Sequence, residues 1–369
     1  MADIYRLVNQ IKNYEWGSPD SIPEFLGVEK DGKPWAEMWM GTHPGAPSQT
    51  EAGGKLIDLA GGQLPFLFKL LAAGKPLSIQ AHPNLQQARE GFKRENEAGL
   101  ALDDPKRNYK DPNHKPEILC ALTPFTVMAG FRKTTETYKL LEALPLKETL
   151  APLLRALEAG SLKDFFRALF ALSASERERL SSFILESADA ACEAVISPEQ
   201  WELMRSFAAQ YPSDPAVLSP LYLNLFTLEP GQAIFVPAGL LHAYVNGFGI
   251  ELMAASDNVL RGGLTPKHID ISELVNILEF SPFMPEIIAA PSHDCFRYPA
   301  HCKEFSLSLL RGKEGGSIFP GKCPSICIVA EGEVRTGGMS FKKGESFFVP
   351  EPWKGSFDGN FSLFAAGVP

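Results

Sequence analysis

The sequence predicts a mainly β protein with a helical insert, built on two β-barrels of one kind, and three observations carry that prediction. Thirty-one glycines and 30 prolines in 369 residues are scattered rather than periodic, which marks many turns between short strands and excludes a collagen-like repeat. From about 134 to 214 the apolar residues change from short runs to helical spacing. Finally, Glu229-Pro-Gly-Gln-Ala-Ile-Phe-Val-Pro-Ala238 is echoed by Lys343-Gly-Glu-Ser-Phe-Phe-Val-Pro-Glu351. In both, a turn with glycine feeds a strand that ends in Val-Pro, as in a duplicated barrel. A chain of this length exceeds one ordinary core. The expected division is 1–133 together with 215–290 as one barrel, 134–214 as the insert, and 291–369 as the second barrel.

Taken in order, Pro65-Phe-Leu-Phe-Lys-Leu-Leu71 and Leu77-Ser-Ile-Gln80 read as strands within a Gly/Pro-punctuated region. In the insert, Leu140, Leu141 and Leu144, then Leu150, Leu153, Leu154 and Leu157, then Phe165, Phe166, Leu169 and Phe170 recur at helical spacing. Ser173-Ala-Ser-Glu176 has the capping-box pattern, and Ser197-Pro198-Glu199-Gln200 adds proline at the first helical position. These apolar stripes read as core rather than as a docking surface. Strands return over 221–226, 233–236, 305–310 and 326–329.

Charge narrows the function. The formal net charge is −9 with no Lys/Arg cluster, which disfavours nucleic acid and anionic membranes as partners. No apolar run approaches a membrane span and the N-terminus lacks a signal core, so a cytoplasmic protein is expected. Cys120, Cys192, Cys295, Cys302, Cys323 and Cys327 are dispersed, and the closest pair, Cys323 and Cys327, lacks zinc-ribbon spacing; reduced thiols are expected. A Gly-x-Ser-x-Gly elbow, a P-loop and a dinucleotide fingerprint are all missing, against hydrolase, kinase and dehydrogenase readings.

The chemistry concentrates in a few places. Gln80 and His82 alternate along a strand and so project to one side. His242 follows the Val-Pro turn of the first barrel. Glu117, in His114-Lys115-Pro-Glu117, begins an apolar run, an awkward place for a carboxylate without a cation. Either a salt bridge with Lys or Arg or a divalent metal on Gln80, His82, Glu117 and His242 would satisfy it. Two imidazoles and a carboxylate suit Zn²⁺, and also Fe²⁺ or Mn²⁺, with glutamine the least usual donor. The second concentration runs from Glu251 to His268. Arg261 precedes two glycines, and with Lys115 and Lys267 it would supply local positive charge for a phosphate.

These motifs resemble the type I mannose-6-phosphate isomerase (phosphomannose isomerase) family. The resemblance rests on Gln80-Ala-His82-Pro83, His114-Lys-Pro-Glu117, the block from Phe235 through His268 and Tyr14-Glu-Trp-Gly17, in the family's order. It implies two cupin-type jelly-roll barrels plus an α-helical domain, and one zinc per chain on Gln80, His82, Glu117 and His242. The implied reaction is interconversion of mannose 6-phosphate and fructose 6-phosphate through an enediol. Lys115 leads as the base, with Glu251, His114 and a metal-bound hydroxide as rivals. Arg261 is expected to stabilise the enediolate or the phosphate, and Asp257 to orient it or assist ring opening. Ser78 and Lys267 are candidate substrate contacts and Trp16 a candidate aromatic wall. A phosphorylated hexose is then the partner, and a compact, bacterial-type monomer the expected form. Val349-Pro-Glu-Pro-Trp353 offers no counterpart of His242, so no metal is expected in the second barrel. The competing readings are a non-haem iron oxygenase and a non-catalytic metal-binding sugar-phosphate sensor.

Overall fold

The computed structural model describes residues 4–186, 195–313, 317–318 and 324–369. Two large sheets and a helical module account for most of it, as expected. The ten-stranded sheet runs Ala233–Val236, Glu117–Ala121, His242–Ala254, Phe66–Ala73, Glu37–Met40 and Gln10–Lys12, with Gln80–Ala81, Leu260–Arg261, Phe125–Phe131 and Leu223–Leu228 joined at its bend. His242–Ala254 makes that bend. Its first residues pair with Gln80 and Phe125–Phe131, the register shifts between Tyr244 and Asn246, and residues from Gly247 on pair with Phe66–Ala73. Gly247 has φ +139°, a conformation available to glycine, and a Cβ there would lie 2.6 Å from the Phe125 ring.

The sequence echo is a structural duplicate. Ala233–Val236 pairs antiparallel with Glu117–Ala121, Val236 opposite Glu117; Ser346–Val349 pairs antiparallel with Ser325–Thr336, Val349 opposite Ser325. The turn glycines Gly231 and Gly344 share left-handed φ values of +85° and +86°. The second barrel therefore holds a serine where the first holds Glu117.

The insert follows its periodicity. Its helices span Thr134–Glu142, Lys147–Glu158, Leu162–Phe170, Ala174–Glu186 and Pro198–Gln210. Leu140, Leu141, Leu144, Leu150, Leu153, Leu157, Phe165, Phe166 and Leu169 are buried, with Leu154 and Phe170 packed beside them. Both capping boxes form. Glu176 accepts from the Ser173 N–H at 2.7 Å and donates its own N–H to Ser173 Oγ at 3.3 Å. Ser197 and Gln200 do the same at 3.0 and 3.2 Å.

Some strand expectations need correction. Residues 221 and 222 belong to a helical turn, Ser219–Tyr222, because Pro220 pre-sets its first turn; the strand begins at Leu223. Of 77–80, only Gln80 is in a strand, Gln80–Ala81. The backbone N–H groups of Leu77 and Ile79 instead donate to Tyr244 O and Gly263 O. Residues Leu85–Glu97 form a helix within the region read as strands, started by an Asn84–Gln87 capping box. The first strand, Tyr5–Val8, pairs with Ser346–Val349, so it completes the sheet of the C-terminal barrel rather than that of 1–133. Cys192 and Cys323 lie outside the described residues; Cys120, Cys295, Cys302 and Cys327 are free.

Packing places the site. One face of the ten-stranded sheet (Met38, Met40, Phe66, Phe68, Leu70, Ile250, Leu252) packs on Tyr298, Phe305, Leu307, Ile326 and Phe364 of the second barrel. On and beside the shorter strands, Ile79, Ala81, Leu241, Ala243 and Leu260 join the core of the helical insert. Strand alternation then leaves Gln80, His242 and Arg261 on the opposite face, inside the first barrel.

Candidate metal centre

Gln80 lies directly opposite His242 on one neighbouring strand and Arg261 on the other. Residues facing each other across an antiparallel pair point to one side, with Cβ atoms roughly 5 Å apart, so the three form one row. His82 and Glu117 close on that row. His82 Nε2 lies 3.2 Å from Glu117 Oε1 and His242 Nε2 lies 3.5 Å from Glu117 Oε2. His82, Glu117 and His242 each offer one ligand atom within 4.8 Å of the others.

The tautomers follow from the hydrogen bonds. His82 Nδ1 meets Asn258 O at 2.7 Å, and His242 Nδ1 meets Leu240 O at 3.0 Å. A carbonyl only accepts, so each Nδ1 carries a proton, and in the neutral ring Nε2 is the atom left with a lone pair. Burial, then the Lys115 charge, lowers the His82 pKa to about 4, which keeps the ring neutral at neutral pH. Both Nε2 atoms are buried without a hydrogen-bond partner. Two lone pairs facing a carboxylate in a dry interior are costly unless a cation lies among them, at about 1–3 kcal/mol for each unsatisfied group. The donor set fits a divalent ion.

Charged groups extend the site. Lys115 Nζ stands 2.9 Å from Glu117 Oε1, on the same side of its extended segment. Burial alone would raise the Glu117 pKa, but the Lys115 ammonium beside it holds it well below the usual carboxylate range. Tyr244 donates its hydroxyl to Glu117 Oε2 at 3.3 Å. Alongside runs a buried ladder: Trp39 Nε1 donates to Glu37 Oε2 at 2.7 Å, and Lys69 Nζ bridges Glu37 Oε1 at 3.2 Å and Glu251 Oε2 at 2.9 Å. Burial raises the Glu251 pKa and Lys69 opposes it. Burial opposes charge on Lys69 too, but the two carboxylates outweigh it and keep the ammonium.

The remaining candidates fall around this centre. Arg261 is half-buried, and among the described residues no carboxylate lies within ion-pair distance of its guanidinium; burial lowers its pKa. Lys267 is exposed, its pKa lowered by partial desolvation and by the neighbouring Arg261. Asp257 meets His43 Nε2 at 3.3 Å, and its pKa is lowered chiefly by that bond. Gly45 N–H donates to His43 Nδ1 at 3.1 Å, which leaves the His43 proton on Nε2, facing Asp257. His114 turns outward to Glu304 at 2.8 Å. Trp16 stacks on Tyr14 at 5.7 Å and packs against the cluster containing Tyr244. Ser78 is half-buried but precedes the strand, so the alternation that grouped it with Gln80 does not apply: Pro76 and the Ile79–Gly263 bond shape that segment instead.

Sequence reasoning missed Lys69, Glu37, His43, Tyr244 and Asn258. Tyr244 had a signal, two residues beyond His242 on the same strand. So did Lys69, a lone cation in an eight-residue strand buried throughout.

Two sheet-built barrels with a dry His–Glu–His cluster in the first define a cupin-type protein able to hold a metal ion. The family model for the phosphomannose isomerase type I catalytic domain matches residues 4–134. The mannose-6-phosphate isomerase of Escherichia coli (strain K12) is 36% identical, over 93% of this chain and 94% of that protein. A mutant phosphomannose isomerase from Salmonella typhimurium superposes with a TM-score of 0.90 at 34% identity, covering 100% of both chains. A Salmonella typhimurium mannose 6-phosphate isomerase structure bound to fructose 6-phosphate and zinc gives 0.82 at 33% identity, also over 100% of both chains. The chain belongs to the type I phosphomannose isomerase family.

Proposed function

We infer that this protein interconverts mannose 6-phosphate and fructose 6-phosphate as a metal-dependent aldose–ketose isomerase, with one zinc per chain. The observation that carries the reading is the convergence of two partnerless imidazole nitrogens on the Glu117 carboxylate, beside Lys115 and in a row with Arg261. The relative bound to fructose 6-phosphate and zinc supports it. His82, Glu117 and His242 would hold the ion, with Gln80, opposite His242, as the fourth donor. When bound, zinc supplies charge stabilisation for oxygen without redox chemistry, which an enediol needs and an oxygenase does not.

Moving the carbonyl from C1 to C2 requires removing a proton from C2 and returning it to C1. Of the side chains proposed for this step, Lys115 stands nearest the cluster. Glu251 is engaged by Lys69, and His114 by Glu304. Lys115 is itself paired, but with Glu117 of the cluster, and on that proximity it is assigned the proton transfer. Arg261, with no carboxylate within ion-pair distance among the described residues, is assigned the developing negative charge or the phosphate, with Lys267 and Asp257 on the exposed side. Trp16 is assigned a contact with the sugar. The protein is taken to act as a cytoplasmic monomer, a state gel filtration would check.

The test is a coupled assay following fructose 6-phosphate formation from mannose 6-phosphate, before and after chelation and zinc add-back. Activity lost with chelator and regained with zinc is expected. A folded, zinc-loaded protein without turnover would overturn the reading and leave the sugar-phosphate sensor in its place.

A further inference from the structure

The insert ends against the strand that carries Arg261. Beyond the helix Pro198–Gln210, Asp214 divides its carboxylate between two backbone donors: Oδ1 accepts the Ala216 N–H at 2.9 Å, and Oδ2 the Leu264 N–H at 2.7 Å. Leu264 is buried, yet its φ is +52°, in the left-handed region that side-chain-bearing residues avoid. Before it, Gly263 has φ +126°, and a Cβ there would lie 2.1 Å from Ala216 Cβ, so only glycine permits the approach. The other side is pinned as well: Gly262 N–H donates to Ile79 O at 2.7 Å, and Ile79 N–H to Gly263 O at 3.0 Å. The non-glycine residues with positive φ among the described residues are Ser213 and Leu264, one at each end of this contact. Strain of this kind persists where surrounding bonds over-determine it.

We propose that Asp214 is a positioning residue for Arg261. Among the described residues no carboxylate stands within ion-pair distance to aim Arg261, so its direction comes from the backbone that follows. That backbone is clamped between the Gln80 strand and the Asp214 carboxylate. The helical insert thereby acquires a part in the reaction without touching substrate. This rests on the isomerase reading.

The test is a double-mutant cycle on the zinc-loaded full chain: wild type, Asp214→Ala, Arg261→Ala and the double variant. The readouts are kcat and KM, with residual rates measured at raised enzyme concentration, together with zinc content and Tm. Asp214→Ala should lower kcat about 10- to 100-fold with zinc content unchanged, as a displaced catalytic group does. In the Arg261→Ala background the same substitution should cost less than about twofold, since coupled residues are not additive. Asp214→Asn keeps one acceptor oxygen and should recover part of the loss; it carries the cycle if the alanine variant does not fold. Equal loss in both backgrounds, or none in either, would overturn the proposal and leave Asp214 as an anchor of the insert. An inactive wild type would instead refute the isomerase reading.

Discussion

Replacing Lys69 by methionine removes the one cation between two buried carboxylates. Lys69, Glu37 and Glu251 are 5%, 5% and 4% exposed, and the ammonium sits 3.2 and 2.9 Å from the acids. At an effective dielectric of about 20, each pair attracts by about 5 kcal/mol, most of which offsets the desolvation of the charges. Breaking such an arrangement costs about 3–5 kcal/mol because the acids stay behind unpaired. Burial already raises the Glu251 pKa, and without Lys69 only the weaker pull of Lys115 opposes that. A carboxyl whose folded pKa lies above its unfolded value of about 4.3 destabilises the fold increasingly as pH rises through that window. Urea unfolding of Lys69→Met should therefore show a deficit of about 3–5 kcal/mol at pH 7 that shrinks as pH falls toward 4.5. Glu251→Gln in the same chain should recover part of it. A deficit below about 1 kcal/mol, or one unchanged with pH, would refute the argument.

Three further outcomes are expected. Arg261→Ala should lower kcat by about 10²–10³ with zinc content near that of the wild type; loss of the metal as well would give the residue a structural role. His242→Ala should retain less than about a tenth of the wild-type zinc after dialysis, measured by elemental analysis, since removing a donor leaves the ion an incomplete set. In the metal-stripped protein, the His82 pKa near 4 against an unfolded value of about 6.5 makes stability fall as pH drops through that interval, by about 3 kcal/mol in all. His82→Gln should flatten that part of the pH profile of chemical unfolding.

What could be read before folding was whatever depends on neighbours along the chain. The insert announced itself through leucine spacing and two caps, and the duplicate through a glycine turn and Val-Pro. The centre was legible because Gln80 and His82 alternate and Glu117 opens an apolar run. The helix Leu85–Glu97 escaped because it buries Ala88, Gly91 and Glu95 rather than an apolar stripe; Gly91 admits the Tyr109 ring, 2.3 Å from where its Cβ would stand. Its Asn84–Gln87 cap was the available sign. Lys69 was taken as part of an apolar strand, since nothing local says that Glu37 and Glu251 will flank it. His43 and Asp257, 214 positions apart, meet only through tertiary packing. Pairings of that range are set by sheet order, which single-sequence patterns do not encode.

The pairing of Tyr5 with Phe348 and of Arg6 with Phe347 has a consequence for biosynthesis. During translation this segment leaves the ribosome 343 residues before its mate, Tyr5 against Phe348. At about 5–20 residues per second it waits tens of seconds, so this sheet closes only after the first barrel and the insert have been made. A chain stopped at residue 290 would not be a smaller isomerase. It would carry a stranded edge at Tyr5–Val8 and leave Phe66, Phe68, Leu70, Ile250 and Leu252 without the wall that covers them. The second barrel is thus a shield for the metal-site barrel as well as a neighbour to it.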